Sequence, residues 1–262
     1  MMGSGIVRKL GRAAGFAALT VTAGASVAVG LRASSEERRL DVRDRVTGDW
    51  SRGLLRLFGI EVVTGGAPPG PLGASGGRGR IVVSNHRSII DIAILLSLFG
   101  GALVSRGDLE KWPIVGPSAR AAGTIFVDRK DRASGARAIQ AMVERLAAND
   151  TICLFPEGTT FVDDEVRPFK PGAFVAASRA KVPIVPIGLT YPLSSNAGFG
   201  EETFLEHLGR LAETRRTVAH VEIGSPMEIG ETETVDAFRE RCRSEVARLV
   251  ATARTRHATS SG

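Results

Sequence analysis

The sequence predicts an α/β fold: a mostly parallel central sheet flanked by helices, with a helical segment in front of it. Two observations carry that expectation. From Arg80 onward, short apolar runs alternate with longer runs whose apolar residues recur at helical spacing. Several of the short runs also end in polar residues, as the carboxyl ends of parallel strands do when they line a site. The strands are expected at 81–84, 102–105, 124–127, 151–155, 183–190 and 217–223, and the helices at 88–99, 133–148, 171–180, 201–214 and 233–254. Within 133–148, Ile139, Met142, Val143 and Leu146 make one apolar face.

The segment before Arg80 divides in two. Residues 1–60 form an N-terminal helical, membrane-associating segment. Arg8, Lys9 and Arg12 precede Ala13–Leu31, 19 residues without a charge. A helix of that length reaches about 28 Å, close to a bilayer core. Its seven alanines and three glycines leave three readings: a membrane anchor, a packed N-terminal helix, or a signal peptide cleaved near Ala23-Gly24-Ala25. Leu40, Val46, Trp50, Leu54, Leu57 and Phe58 predict a further helix over 36–58. Residues 61–79, rich in Gly and Pro from Gly65 on, are expected to be a loop, and 80–256 the main domain.

Composition narrows the function. A chain of 262 residues, 43% hydrophobic, buries a full core without disulfides. Cys153 and Cys242 cannot build a disulfide framework or a zinc ribbon. The net charge of +6 suits an anionic partner. Nucleic acid is disfavoured, because there are one Tyr and two Trp and no basic stripe. No P-loop is present. The one G-x-S-x-G string, Gly73–Gly77, precedes a strand instead of following one, so it lacks the setting of a nucleophile elbow.

The chemistry concentrates in Val83-Ser84-Asn85-His86-Arg87-Ser88-Ile89-Ile90-Asp91. His86 ends a buried strand, and Asp91 falls in the first turn of the next helix, which Ser88 could cap. Across that junction the carboxylate can fold back onto the imidazole, fixing its tautomer and leaving the other nitrogen as a base. A structural histidine at a strand end is the competing reading. Two further strand ends point to the same sheet edge. Thr124-Ile125-Phe126-Val127 leads into Asp128-Arg129, where Arg129 could fork onto phosphate or make a surface ion pair. Phe155-Pro156-Glu157-Gly158-Thr159-Thr160 turns sharply, and Glu157 could orient acceptor hydroxyls or cap the turn.

Asn-His-x-Ser-x-x-Asp at 85–91, Ile-Phe-Val-Asp-Arg at 125–129, Phe-Pro-Glu-Gly-Thr at 155–159 and Val-Pro-Ile-Val-Pro-Ile at 182–187 occur in that order. Together they resemble the four blocks of the glycerolipid acyltransferases, especially the 1-acylglycerol-3-phosphate acyltransferase family. The resemblance covers roughly residues 80–192, with Asp108-Leu109-x-x-Trp112-Pro113 and Phe169-Lys170-x-Gly172-Ala173 as linking pieces. It implies that fold, and transfer of a fatty acyl group from acyl-CoA or acyl-carrier protein to a lysolipid hydroxyl, with no bound cofactor or metal. It implies His86 as general base and Asp91 as its orienter. Arg129, Glu157, Gly158 and Thr159 would hold the acceptor, with Arg106 and Lys170 as further substrate-binding cations. Attachment to the cytoplasmic face of the cytoplasmic membrane follows from the same resemblance.

Thr160 departs from the pattern, since many phosphatidic-acid-forming relatives have Arg there. Either Arg87, Arg106, Arg167 or Lys170 compensates, or the acceptor is another lysolipid, such as a lysophospholipid or lyso-ornithine lipid. The rival classes are a lysolipid hydrolase, which would use the same pair with water, and a non-catalytic lipid-binding module.

Overall fold

The computed structural model describes residues 2–67, 79–128, 130–192 and 195–260. These form α1 (Met2–Ala33), α2 (Arg39–Phe58), β1 (Ile60–Gly66), β2 (Arg80–Ser84), α3 (Ile90–Phe99), β3 (Ala102–Arg106), α4 (Val115–Ala121), β4 (Ile125–Val127), α5 (Arg132–Ala147), β5 (Thr151–Leu154), α6 (Gly172–Ala180), β6 (Ile184–Thr190), α7 (Phe204–Glu213), β7 (Thr217–Ile223) and α8 (Val235–Ser260). The strands make one seven-stranded sheet in the order β1-β7-β6-β2-β5-β3-β4. All neighbours run parallel except β6 and β7.

The sheet divides the core by the two-residue period of its strands. Val82, Cys153, Val185, Ile187 and Leu189 point to the layer of α2, α3 and α7. Ile81, Val83, Ile152, Leu154 and Ile184 point to the layer of α5, α6 and α8. Strands buried on both faces need no polar alternation, hence the near-continuous apolar runs. Pro186 is accommodated inside β6 because the β6–β7 ladder begins one residue later, at Ile187↔Ile223.

One expectation needs correction. Residues 61–66 are not loop. Ile60-Glu61-Val62-Val63-Thr64 continues as edge strand β1, held in parallel register by β7. Glycine permits its end: Gly66 has φ 80°, and a Cβ there would lie 2.1 Å from the Ile223 carbonyl oxygen. The string Gly73–Gly77 lies outside the described residues. The structure also adds α4 and a 3-10 turn, Gly107–Lys111, which apolar periodicity had not marked.

At the amino-terminal edge of the sheet a buried ion cluster ties α2 to the strands. Arg43, 3% exposed, donates to both oxygens of Asp150, 1% exposed, at 2.7 and 2.6 Å. Arg145 donates to the same carboxylate at 3.0 Å. Arg43 also holds Asp44, which accepts from the Gly101 N–H at 3.1 Å just before β3. Removing one partner strands a charge in the interior. Asp150→Ala is therefore expected to cost about 3–5 kcal/mol. Urea unfolding measures it, and a loss below about 1 kcal/mol would show the cluster to be dispensable.

Candidate active site

The site grows out of the carboxyl end of β2. Asn85 carries the strand's hydrogen bonding one residue further. Its amide donates to the Leu189 carbonyl and accepts from the Leu189 N–H, both at 2.9 Å, as a second backbone would. The chain then turns through 86–89 into α3. Asp91, fully buried, points back at this turn. Its Oδ2 accepts from the main-chain N–H groups of Arg87, at 2.7 Å, and Ser88, at 2.8 Å, and meets His86 Nδ1 at 2.9 Å. Its Oδ1 accepts from the Tyr191 hydroxyl at the end of β6. Burial, and then the Asp91 charge, raise the Tyr191 pKa well above its ordinary value. Tyr191 therefore stays a donor.

With Nδ1 turned to Asp91, His86 presents Nε2 outward. That nitrogen meets no hydrogen-bond partner among the described residues, and the side chain is 16% exposed. Its ring lies on Phe155, with centroids 3.8 Å apart and planes 10° from parallel. The stacking partner comes from the end of β5. The offset that pairs Val83 with Leu154 continues past the strands and sets Glu157 beside His86. The Glu157 carboxylate accepts from the His86 N–H at 2.7 Å and the Arg167 N–H at 2.8 Å. Burial outweighs those bonds and pushes its pKa up to about 7. Phe161 N–H and Phe199 N–H bind the carbonyls of His86 and Arg87, so the turn is fixed on every side.

Gly158 has φ 82°, and a Cβ there would lie 2.7 Å from the Lys170 ammonium. The glycine thus lets that cation approach the turn. Thr159 is exposed and Thr160 half-buried. Among the expected residues, His86, Asp91 and Glu157 come together, with Gly158 and Lys170 adjoining them. Arg106 does not join them. It pairs with Asp108 at 2.7 Å on the exposed end of β3, two strands from β2, or about 10 Å at the usual strand spacing. Arg129 lies outside the described residues. Arg87 and Arg167 are also engaged, Arg87 with Asp164 at 2.6 Å and Arg167 with Asp163 at 2.8 Å.

One expectation about the turn changes. The Ser88 hydroxyl is at most a weak cap, 3.5 Å from Ile90 N, and its stronger contact is His207 Nε2 at 3.1 Å. The main-chain N–H groups of Arg87 and Ser88 serve Asp91, so they are not available to an oxyanion. Tyr191 and His207 were not singled out in the sequence. Each stands far along the chain and shares no spacing with the His86–Asp91 block.

A His–Asp pair at the carboxyl edge of a mostly parallel sheet, its outer nitrogen meeting no hydrogen-bond partner among the described residues, is an arrangement that can take a proton from a bound hydroxyl. The comparisons give the family. Residues 69–190 match the family model described as Acyltransferase. The chain is similar to the lyso-ornithine lipid O-acyltransferase of Pseudomonas aeruginosa, 30% identical over 71% of each chain. It is also similar to the 1-acyl-sn-glycerol-3-phosphate acyltransferase of Neisseria meningitidis, 23% identical over 80% of this chain and 82% of that one. The crystal structure of the 1-acyl-sn-glycerophosphate acyltransferase PlsC from Thermotoga maritima shares the fold, with a TM-score of 0.73, 21% identity and 96% of each chain covered. The chain belongs to the acyltransferase family, and it is an acyltransferase.

The Glu157 shift has a consequence for stability. Between an ordinary carboxylate pKa of 4.5 and about 7, the folded state binds more protons at Glu157 than the unfolded state does. Stability from this group is therefore present below 4.5 and lost as pH rises through 7. Wild type should lose more stability between pH 5 and pH 8 than Glu157→Gln does, measured by urea unfolding. Equal losses would mean that Glu157 folds with an ordinary carboxylate.

Proposed function

We propose that this chain transfers a fatty acyl group from acyl-CoA or acyl-carrier protein to the free hydroxyl of 1-acylglycerol-3-phosphate, giving phosphatidic acid. The observation that carries the reading is the 2.9 Å contact of His86 Nδ1 with buried Asp91, which leaves Nε2 facing outward. His86 Nε2 takes the proton of the acceptor hydroxyl as its oxygen attacks the thioester carbonyl. Asp91 stabilises the imidazolium so formed. The C–S bond breaks, and the leaving thiolate recovers the proton from His86 as a free thiol. No covalent acyl-protein is needed.

Glu157, Gly158, Thr159 and Lys170 hold the acceptor in this reading, together with Arg129; Arg106, paired with Asp108 two strands away, is left out of it. Lys170 is the cation set against the Gly158 turn. A second reading, lyso-ornithine lipid as acceptor, is favoured by Thr160 and by the Pseudomonas relative. His86→Ala should lower acyl transfer by roughly 10²–10⁴-fold, and Asp91→Asn should lower it too by mis-setting the tautomer. The assay supplies labelled acyl thioester with each lysolipid in turn. Release of free fatty acid without transfer would favour a hydrolase. Near-wild-type turnover by folded His86→Ala would remove the base from the mechanism.

The membrane reading rests on α1. Between Ile6 and Ala33 it is long and apolar enough to cross a bilayer, and 17% of an 18-residue apolar window within it is buried in the protein. Its contacts, however, tie it down along its length. Arg12 donates to the carbonyls that end α7, and Thr20 takes hydrogen bonds from Trp50 and Ser118. Phe16, Leu19, Thr20 and Val27 turn inward. Ile6, Val7, Leu10, Val21 and Val29 are exposed, and at about 100° per residue they share one outward arc of about 140°. This placement supports residues 1–60 as a membrane-associating segment with α1 lying along the surface, on the cytoplasmic face that Arg8, Lys9 and Arg12 favour. Changing Ile6, Val7 and Leu10 together to Ser should weaken sedimentation with lipid vesicles and leave the melting temperature unchanged. Undiminished vesicle binding would place the membrane contact elsewhere.

A further inference from the structure

Behind the His86–Asp91 pair lies a second histidine chain. Ser88 and His207 are both fully buried. The Ser88 hydroxyl meets His207 Nε2 at 3.1 Å, and His207 Nδ1 meets the Glu202 carboxylate at 3.1 Å. Phe199 stacks on the His207 ring at 4.5 Å, and the Phe199 N–H binds the Arg87 carbonyl at 2.7 Å. Arg210 pairs with Glu202 and lies 3.0 Å from His207 Nδ1. Burial, and then the Arg210 charge, lower the His207 pKa to about 4, so the ring is neutral near pH 7.

Serine, histidine and carboxylate in this order have the connectivity of a nucleophilic triad, but a nucleophile must be reached by its substrate. Ser88 has no exposed surface, so its hydroxyl cannot attack a thioester in this conformation. What the chain does reach is Asp91. Ser88 gives its own N–H to Asp91 Oδ2 at 2.8 Å, and Asp91 Oδ2 holds His86 Nδ1.

We propose that His207, backed by Glu202, is a positioning residue for acyl transfer. Through the Ser88 hydroxyl it fixes the turn whose main-chain N–H groups orient Asp91, and thereby the aim of His86. The proposal rests on the reading of His86 as the base. It makes α7 and the strand-to-helix turn after β2 parts of one device, although 119 residues separate Ser88 from His207.

The test uses the full-length protein in the acyl-transfer assay, with thermal unfolding to fix the folded fraction of each variant. Ser88→Ala and His207→Asn should lower kcat per folded molecule about tenfold, the scale of one lost hydrogen bond, with KM within about twofold of wild type. His207→Gln should restore most of kcat, because its amide reaches the position of Nε2, whereas the Asn amide stops at that of Nδ1. The double variant Ser88→Ala/His207→Asn should be no slower than the slower single one. Wild-type kcat in the two single variants overturns the proposal, as does a kcat that His207→Gln fails to rescue. Where a buried variant does not fold, Glu202→Ala on the part-exposed side chain decides: lowered kcat at unchanged KM supports the proposal, and unchanged kcat overturns it. Loss of activity in His86→Ala beside unaffected His207 variants would refute this inference alone. Full activity in His86→Ala would refute the base itself.

Discussion

A fully buried carboxylate is costly unless donors surround it, and Asp91 is surrounded. Two main-chain N–H groups, an imidazole nitrogen and a phenol meet its two oxygens. Those partners come from two places: the turn after β2, which carries the histidine, and the end of β6. Asp91 can be satisfied only where β2 and β6 are neighbours with aligned ends. Their parallel register, extended by Asn85 onto Leu189, provides that alignment. The constraint runs both ways, because the carboxylate that sets the imidazole also pins the turn carrying it.

The two ends of the sheet divide the work between stability and chemistry. At the amino-terminal edge, Arg43, Arg145, Asp44 and Asp150 close an ion cluster on itself, with the acids and guanidinium groups matched. At the carboxyl-terminal edge Asp91 is satisfied inward, and the outer nitrogen of His86 meets no hydrogen-bond partner among the described residues. Parallel strands enforce this separation, since all their carboxyl ends lie on one side and each brings its following loop there. The second edge holds a half-buried histidine, with Phe155 on its face and Glu157 on its backbone.

Much of this was legible in the sequence because its signals are local. Each expected strand and helix from 81 to 254 is present, with ends shifted by a few residues, because apolar period and turn residues act within one element. His86 and Asp91 lie five residues apart on one junction, so their meeting could be inferred from spacing. Glu157 was legible as a strand-end residue, but its tie to the His86 N–H needs the β2–β5 register. The edge strand β1 was hidden by the glycines that terminate it. Tyr191 and His207 were illegible for another reason: their roles arise only from tertiary packing, 100 and 119 residues from their partners.

Net charge was the least informative of the global signals. The chain has 34 basic and 28 acidic side chains, an excess that suits an anionic partner. In the fold, Arg87 is buried against Asp164 and Thr190, Arg167 lies between Asp163 and Glu165, and Arg106 faces Asp108. Arg254 reaches from α8 to the same Asp164. An arginine whose fork is already filled by a carboxylate offers an incoming phosphate little, because the phosphate must displace a partner of the same sign at the same donors. Charge near the His86 turn is therefore decided by individual placements and not by the excess of arginine. On the proposed reading of the turn after β5 as the acceptor site, the same reasoning gives weight to Thr160, because Arg87 and Arg167 beside it are already paired with carboxylates.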